Sequence, residues 1–203
     1  MILMASLTAG AWAGPTAVNW IPIADVIKHR EVAISQYWYG TERHIDQRWY
    51  PGWSVQVGLG NRIEGGLDHD YLGNAVGNVK LSLLEGHPKV PNAALAVGVM
   101  NWSGKVVDPY VVGRFDLKGL RLHGGWVRTG GASRLMAGMD FPITGSITGM
   151  VDGYTGPGSL WWIGASGNID AIPGLNVWAG AGIPGRRSDG TQFGVVIGYF
   201  FRL

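Results

Sequence analysis

The chain ends in the stretch "GVVIGYFFRL", Gly194 to Leu203, and this stretch decides the fold. Side chains of a β-strand point alternately to its two faces. Small residues such as Gly194 and Gly198 therefore share one face of this strand. The other face carries only apolar residues, namely Phe193, Val195, Ile197, Tyr199, Phe201 and Leu203. An apolar face that continues to the last residue is unusual for a sheet that meets water.

Composition supports a surface that does not face water everywhere. The 203 residues fit one large all-β unit. Charged residues make up 15% of the chain, against about 25% in soluble domains. The net charge of +2 and the lack of a basic run argue against nucleic acid as a partner. The absence of cysteine excludes disulfides and thiolate metal sites.

The first residues indicate export. Residues 2–13, "ILMASLTAGAWA", are small and apolar and end in an A-x-A cleavage pattern. No Lys or Arg precedes this run, so the predicted signal peptide, residues 1–13, is truncated at its start; the alternative is a buried N-terminal strand. The run is too short to span a bilayer, for which about 20 apolar residues are needed.

A unit of about ten alternating residues followed by a turn repeats along the rest of the chain. Beyond Asn19 no apolar run is long enough for a helical membrane span, and only residues 21–32 could form a short helix. The pattern predicts twelve strands, near 31–40, 53–60, 62–69, 76–85, 92–102, 109–118, 119–129, 133–142, 145–154, 159–169, 174–182 and 191–203. A count of ten stays open, most simply if 53–69 forms one bent strand.

The two faces of these strands differ in character. In residues 119–129, Leu122 and Trp126 share one face, and Arg121 and His123 share the other. A soluble β-sandwich would wet its second face with Lys, Glu and Thr, whereas this face is mostly Gly, Ser and Ala with scattered charges. Small inward residues and an apolar exterior suit a closed barrel in lipid, since a bilayer admits only helices or closed barrels. The sequence thus predicts an all-β, antiparallel transmembrane β-barrel over residues 31–203, with 14–30 as a periplasmic N-terminal segment.

The end of the last strand carries a resemblance to a known class. Gly198, Phe201 and Leu203 form a Gly-x-x-apolar-x-apolar pattern that resembles the C-terminal signal of Gram-negative outer-membrane β-barrel proteins. The resemblance implies an outer-membrane location, contact with outer-membrane lipid, and recognition of these residues by the barrel-assembly machinery. The pattern departs from that class in its terminal residue, Leu in place of Phe, and in Val196, where a polar residue is usual.

The turns carry a second resemblance. The stretches "FPITGSIT" and "IDAIPGLNV" are similar to those of porin-like and YjbH-like barrels. This similarity implies a transport or exopolysaccharide context, and it assigns no role to any individual residue.

Charged residues on the second face are the candidate site. We expect them to line the lumen: Lys80, Arg114, Asp116, Arg121, His123, Asp140, Asp152 and Arg202. They could set the electric field along a pore. They could equally form ion pairs that fill a small barrel, because interior charges must be paired or wet. A barrel of about twelve strands lies between filled small barrels and the open channels of 16–18 strands.

Enzymatic and metal sites are not indicated. None of the five histidines belongs to a recognisable nucleophile motif. Asp68 and Asp70 would share one face of a strand while His69 takes the other, so "DHD" predicts a solvated loop edge, and we expect no metal or other cofactor. The leading hypothesis is a small porin-like channel for ions or small polar solutes, and not an enzyme. The alternatives are a structural or partner-binding barrel linked to envelope polysaccharide export, and a disfavoured lipid-modifying enzyme.

Overall fold

Alternating residues and glycine-rich turns produce twelve β-strands. A computed structural model describes residues 17, 19–41, 50–69, 74–85, 88–156, 158–186 and 190–203. The strands are β1 Glu31–Thr41, β2 Tyr50–Gly58, β3 Ile63–His69, β4 Ala75–Ser82, β5 Ala93–Trp102, β6 Asp108–Leu117, β7 Leu120–Thr129, β8 Ala132–Pro142, β9 Ile147–Tyr154, β10 Leu160–Asn168, β11 Leu175–Pro184 and β12 Gln192–Arg202.

Each strand pairs antiparallel with its neighbours in sequence, and the sheet closes on itself through β1 and β12. The closing register runs from Glu31 opposite Arg202 to Thr41 opposite Gln192. The predicted barrel of twelve strands is therefore confirmed, and the open β-sandwich is wrong. The count of ten is also wrong, because β2 and β3 are separate strands that pair with each other. No helix within the described ranges is long and apolar enough to cross a membrane.

The outer surface of the barrel is apolar. Residues that alternate with the inward ones are exposed along the strands, among them Ile34, Leu67, Leu135, Ile163 and Ile183. The inward positions are buried, as in β9, where Thr148, Met150, Asp152 and Tyr154 all face inside. In β9 the structure reproduces the alternation that the sequence predicts.

The two ends of the barrel differ. We call the end where β1 begins and β12 finishes the terminal end, and the opposite end the far end. At the terminal end the Leu203 amide donates a hydrogen bond of 2.8 Å to the Arg30 carbonyl oxygen. The tight link 118–119 lies at this end, and the link 130–131 is equally short at the far end. The long link 42–49 lies outside the described residues.

Residues 19–30, which we call the inner segment, run from the interior of the barrel to its terminal end, where Lys28, His29 and Arg30 are exposed. Ile21 and Ala24 are completely buried, and they belong to the same cluster as the inward side chains of the strands. Within residues 21–32, which could have formed a short helix, no helix forms, and the wall accepts the backbone N–H groups of Ile21 and Ile27. Residues 1–16 and 18, which include the predicted signal peptide, are outside the described residues.

The apolar exterior predicts a depth-dependent cost for charge. Ile197 is exposed on the outside of β12, opposite Gln36 and Val177 of its neighbours. Ile197→Arg is expected to lower the free energy of unfolding in lipid by about 2–4 kcal/mol, as for cations near the bilayer midplane. The measurement is urea unfolding in vesicles.

The matched control is Ile172→Arg, in the exposed link between β10 and β11 at the terminal end. A cation at this depth is expected to cost about 0–1 kcal/mol. Equal losses at the two positions would contradict the assigned outer face.

Candidate functional site

The lumen of the barrel is packed around the inner segment. Inward side chains from β1 and from β5 through β12 join one buried cluster with Ala17, Ile21, Ile23 and Ala24. Each buried member of this cluster exposes at most 9% of its surface to solvent. The wall members are Tyr37, Tyr39, Ala94, Ala96, Tyr110, Val112, Val127, Met136, Met150, Tyr154, Trp162, Trp178 and Val196. The side chains in this part of the lumen are therefore shielded from bulk solvent.

Asp152 on β9 holds the beginning of the inner segment. Its Oδ2 atom accepts hydrogen bonds from the backbone amides of Asn19, Trp20 and Ile21, at 2.9, 2.6 and 2.8 Å. Consecutive amides that converge on one point form a concavity suited to an anion. Here the wall supplies that anion and the segment supplies the concavity. The three amides offset part of the cost of burying this carboxylate, which is completely removed from solvent.

An aromatic group packs beside this anchor. The Trp20 ring stacks on Trp162 of β10 at 5.8 Å and meets the edge of Tyr39 of β1 at 5.6 Å. Trp178 of β11 lies 5.5 Å from Trp162 and donates its indole N–H to the Asn19 side-chain oxygen at 2.8 Å. These contacts fix both side chains at the start of the segment against three strands of the wall.

A buried ion pair holds the other part of the segment. Lys80 of β4 and Glu64 of β3 approach to 2.9 Å, and neither side chain is exposed at all. The second oxygen of Glu64 accepts the Ile27 amide at 2.8 Å. Glu64 thus neutralises a wall cation and satisfies a backbone donor of the segment at the same time.

The third contact is ionic and lies nearer to water. Asp25 of the inner segment pairs with both Arg114 of β6 and Arg121 of β7, the latter at 3.5 Å. Arg114 also pairs with Asp116 at 2.8 Å, and Arg121 with Asp140 at 2.7 Å. The side chains of Asp25, Arg114 and Arg121 are 20%, 13% and 27% exposed. They form a network that is partly open to solvent.

His123 extends this network along β7. Its Nε2 atom lies 2.7 Å from the second oxygen of Asp140, which therefore bridges His123 and Arg121. The described part of the chain places no group of three or more His, Asp or Glu so that they could hold a metal ion.

Asp25, Arg114 and Arg121 also line a cavity of about 840 Å³, whose other lining residues include Glu31 and Arg202 at the terminal end. We call it the vestibule. Its charged lining residues are Asp25, Lys28, Glu31, Glu85, Arg114, Arg121, Asp170 and Arg202. The lining thus contains four cationic and four anionic groups, interspersed around apolar residues such as Ile169 and Phe200. The vestibule is large enough for a small polar solute and presents charge of both signs to it.

The structure brings together most of the predicted lumen residues. Arg114, Asp116, Arg121, His123 and Asp140 form the network described above. Lys80 and Asp152 lie apart from it, each at its own contact with the inner segment, whereas Arg202 is at the terminal end and lines the vestibule. Whether these residues line a water-filled path stays a prediction.

The residues of the predicted assembly signal lie on β12 and just beyond it. Gly198 faces inward and is buried, Phe201 is on the outer face, and Leu203 is exposed after the strand. Their recognition by the barrel-assembly machinery stays a prediction, as does the exopolysaccharide context.

Sequence reasoning missed four acidic residues that face the interior. Glu64 and Asp68 alternate with the exposed Ile63 and Leu67, so the period of two in β3 could have found them. Asp68 accepts hydrogen bonds from Gln56 and Asn78, and its burial shows that "DHD" is not a solvated edge at this position. Asp70 is outside the described residues.

The other two missed acids are Asp108 and Asp25. Asp108, the first residue of β6, is buried and bound by Asn101 and Thr129 at 2.8 and 2.7 Å. Asp25 lies in a segment with no strand period, so no pattern in the sequence points it at the arginines.

The fold matches that of known porins. A structure of KdgM porin in complex with disordered oligogalacturonate gives a TM-score of 0.57 at 12% identity, covering 84% of this chain and 99% of that chain. A second KdgM porin structure gives 0.56 at 13% identity with the same coverage. No protein-family model matches the sequence, and no curated protein matches it. The closed ring of twelve antiparallel strands in this chain therefore has the same fold as these two KdgM porin structures.

The buried ion pair predicts strong energetic coupling. Lys80→Met leaves the Glu64 carboxylate buried without its cation, which is expected to cost about 3–5 kcal/mol of unfolding free energy. Adding Glu64→Gln removes the stranded charge while keeping an acceptor for the Ile27 amide, so the double variant should be more stable than Lys80→Met alone. Urea unfolding of Lys80→Met, Glu64→Gln and the double variant measures the coupling.

Lys105→Met, in the exposed link between β5 and β6, is the matched control and should change the unfolding free energy little. Additive losses in the Lys80 and Glu64 double variant would contradict the coupling.

Proposed function

We propose that this chain is an outer-membrane barrel that forms a small channel for ions or small polar solutes. The observation that carries the proposal is the combination of a closed twelve-strand ring, an apolar exterior and an interior lined with charge. Solved porins share this ring. A closed barrel satisfies every strand hydrogen bond internally, which is the condition for crossing a bilayer with β-strands.

The vestibule supports transport more than catalysis. Its lining contains charges of both signs around open volume, as suits transient contact with a hydrated solute. Nucleophilic catalysis would need a Ser, Thr or Cys beside a base. His123, the best-placed base, instead faces Asp140, Arg114 and Gly138. We therefore favour a channel over a lipid-modifying enzyme, and a lipase or acyltransferase assay of the purified barrel tests the latter.

A structural barrel is the second candidate, because the lumen side chains pack tightly around the inner segment. Under this alternative the charged network stabilises the fold and carries no current. Its proposed context would be envelope polysaccharide export.

Location gives the first test of the proposed function. The protein is expected in the outer-membrane fraction. It should also migrate faster in SDS gels before boiling than after it, because a closed ring of hydrogen-bonded strands resists unfolding by the detergent until it is heated. Recovery as a soluble periplasmic protein would refute the proposal.

The arginines of the network give the second test. Arg114→Gln together with Arg121→Gln removes two cations and leaves Asp25, Asp116 and Asp140. The reversal potential across a planar bilayer is then expected to shift towards cation selectivity, since charges at a constriction act on ions at close range. The measurement records single-channel currents across a planar bilayer that separates solutions of different salt concentration.

Arg128→Gln is the matched control, because Arg128 is on β7 like Arg121 but is exposed on the outer face. It should leave the reversal potential unchanged. Two results together would favour the structural barrel. The first is the absence of single-channel current in the unmodified protein and in the inner-segment variants described below. The second is a lowered unfolding temperature of the double arginine variant.

A further inference from the structure

We propose that the barrel wall is a peptide-binding site for residues 19–28, and that this part of the inner segment is a plug that keeps the channel closed. The proposed binding site depends only on the contacts between the wall and residues 19–28. The closing of the channel rests on the proposed function.

The contacts are distributed around the wall. Along the segment they fall at residues 19–21, at Asp25 and at Ile27. On the wall they fall at β9, at β6 and β7, and at β3. An incidental passage of the chain through the lumen would not need separate polar partners on four strands. This distribution fixes the position of the segment across the lumen.

Two of the contacts recognise the backbone. Asp152 accepts three successive amides, and Glu64 accepts the amide of Ile27. Buried backbone amides need acceptors, and a carboxylate is a strong one. The ligand that the wall fits is therefore an irregular, non-helical peptide with an aromatic residue at its start and a carboxylate five residues later, as at Trp20 and Asp25.

Glycines on the wall make room for the segment. A Cβ atom added at Gly58 of β2 would meet the carbonyl groups of Lys28 and Ile27, with the Ile27 oxygen at 2.6 Å. At Gly138 of β8 it would meet Asp152 of the wall at 2.8 Å and the Ile21 side chain at 3.1 Å, and at Gly164 of β10 it would meet Trp178 of the wall at 2.5 Å and the Asn19 side-chain oxygen at 2.7 Å. Three strands thus carry their smallest residue where the segment passes.

The contacts differ in their exposure, and this difference points to where the plug loosens first. The side chains of Glu64 and Asp152 are completely buried, whereas Asp25 and its two arginines line the vestibule and are partly exposed to solvent. Ion pairs that reach solvent are weakened by salt, whereas buried ones are screened much less. Dissolved salt is therefore expected to weaken the Asp25 contact more than the contacts at Glu64 and Asp152.

The first experiment measures whether the plug is in place, without using current. The chain has no cysteine, so Ala24→Cys introduces a single thiol at a completely buried position of the segment. A membrane-impermeant thiol reagent should label it far more slowly than Ser133→Cys, which is exposed on β8 near the far end. Equal labelling rates in the folded, heat-modifiable barrel would overturn the binding site.

The second experiment loosens the plug in two independent ways, each in the Ala24→Cys background. Asp152→Asn weakens the acceptor of three amides, and Gly58→Ala pushes against the segment through its backbone. Losing a charged hydrogen-bond acceptor is expected to raise the labelling rate of the introduced thiol by about tenfold to a hundredfold. The channel-opening probability in a planar bilayer should rise by a similar factor.

Two matched controls separate the plug from general damage. Asp108→Asn changes an inward carboxylate whose recorded partners, Asn101 and Thr129, belong to the wall. Gly113→Ala adds a Cβ atom whose nearest neighbour is 3.6 Å away. Neither control should change the labelling rate or the current.

The outcomes distinguish the two proposals. Faster labelling together with more current supports both the plug and the channel. Faster labelling with no current in any variant supports the binding site and refutes the channel. Unchanged labelling in both folded variants refutes the plug, whether or not the protein conducts.

Discussion

The pairing of β1 with β12 is the interaction on which the rest of the structure depends. Eleven aligned residue pairs join these strands and remove the two edges that an open sheet would leave. Once the ring is closed, every second residue of each strand must face a shared interior. That interior has to be either wet or filled, because close packing is what stabilises buried side chains. The inner segment fills part of it, and the vestibule is the part left open.

A chain segment inside the barrel needs hydrogen-bond acceptors for its backbone amides, and acidic side chains of the wall supply them. Backbone amides of an irregular segment have no ladder partner, and an unpaired buried amide costs about as much as a lost hydrogen bond. Asp152 and Glu64 supply the acceptors. Each carboxylate would itself be costly to bury, and it is tolerated because amides, and for Glu64 also Lys80, surround it. Polar groups of the segment and the wall therefore depend on one another.

The sequence predicted the parts of this structure that follow a period of two. Strand number and the alternation of the two faces could be read because Leu122 and His123, for example, must point in opposite directions. The inner segment could not be read in this way, because its path is set by contacts with residues up to 159 positions away, as between Asn19 and Trp178. Asp25 was missed for that reason. Glu64 was within reach of the pattern, but its partner Lys80 is on the next strand and only the register brings them together.

The position of the inner segment immediately before β1 has a consequence for how the ring can be completed. Residue 30 lies at the terminal end, where its carbonyl meets the amide of Leu203, and the preceding residues turn back into the interior. A ring that closed first would have to admit bulky groups such as Trp20 through one of its ends. Seating the segment against β9 to β11 while β1 is still unpaired needs no such threading. Ring closure and enclosure of the segment are then one event, and the last strand pair to form would also determine whether the newly assembled molecule is closed from the start.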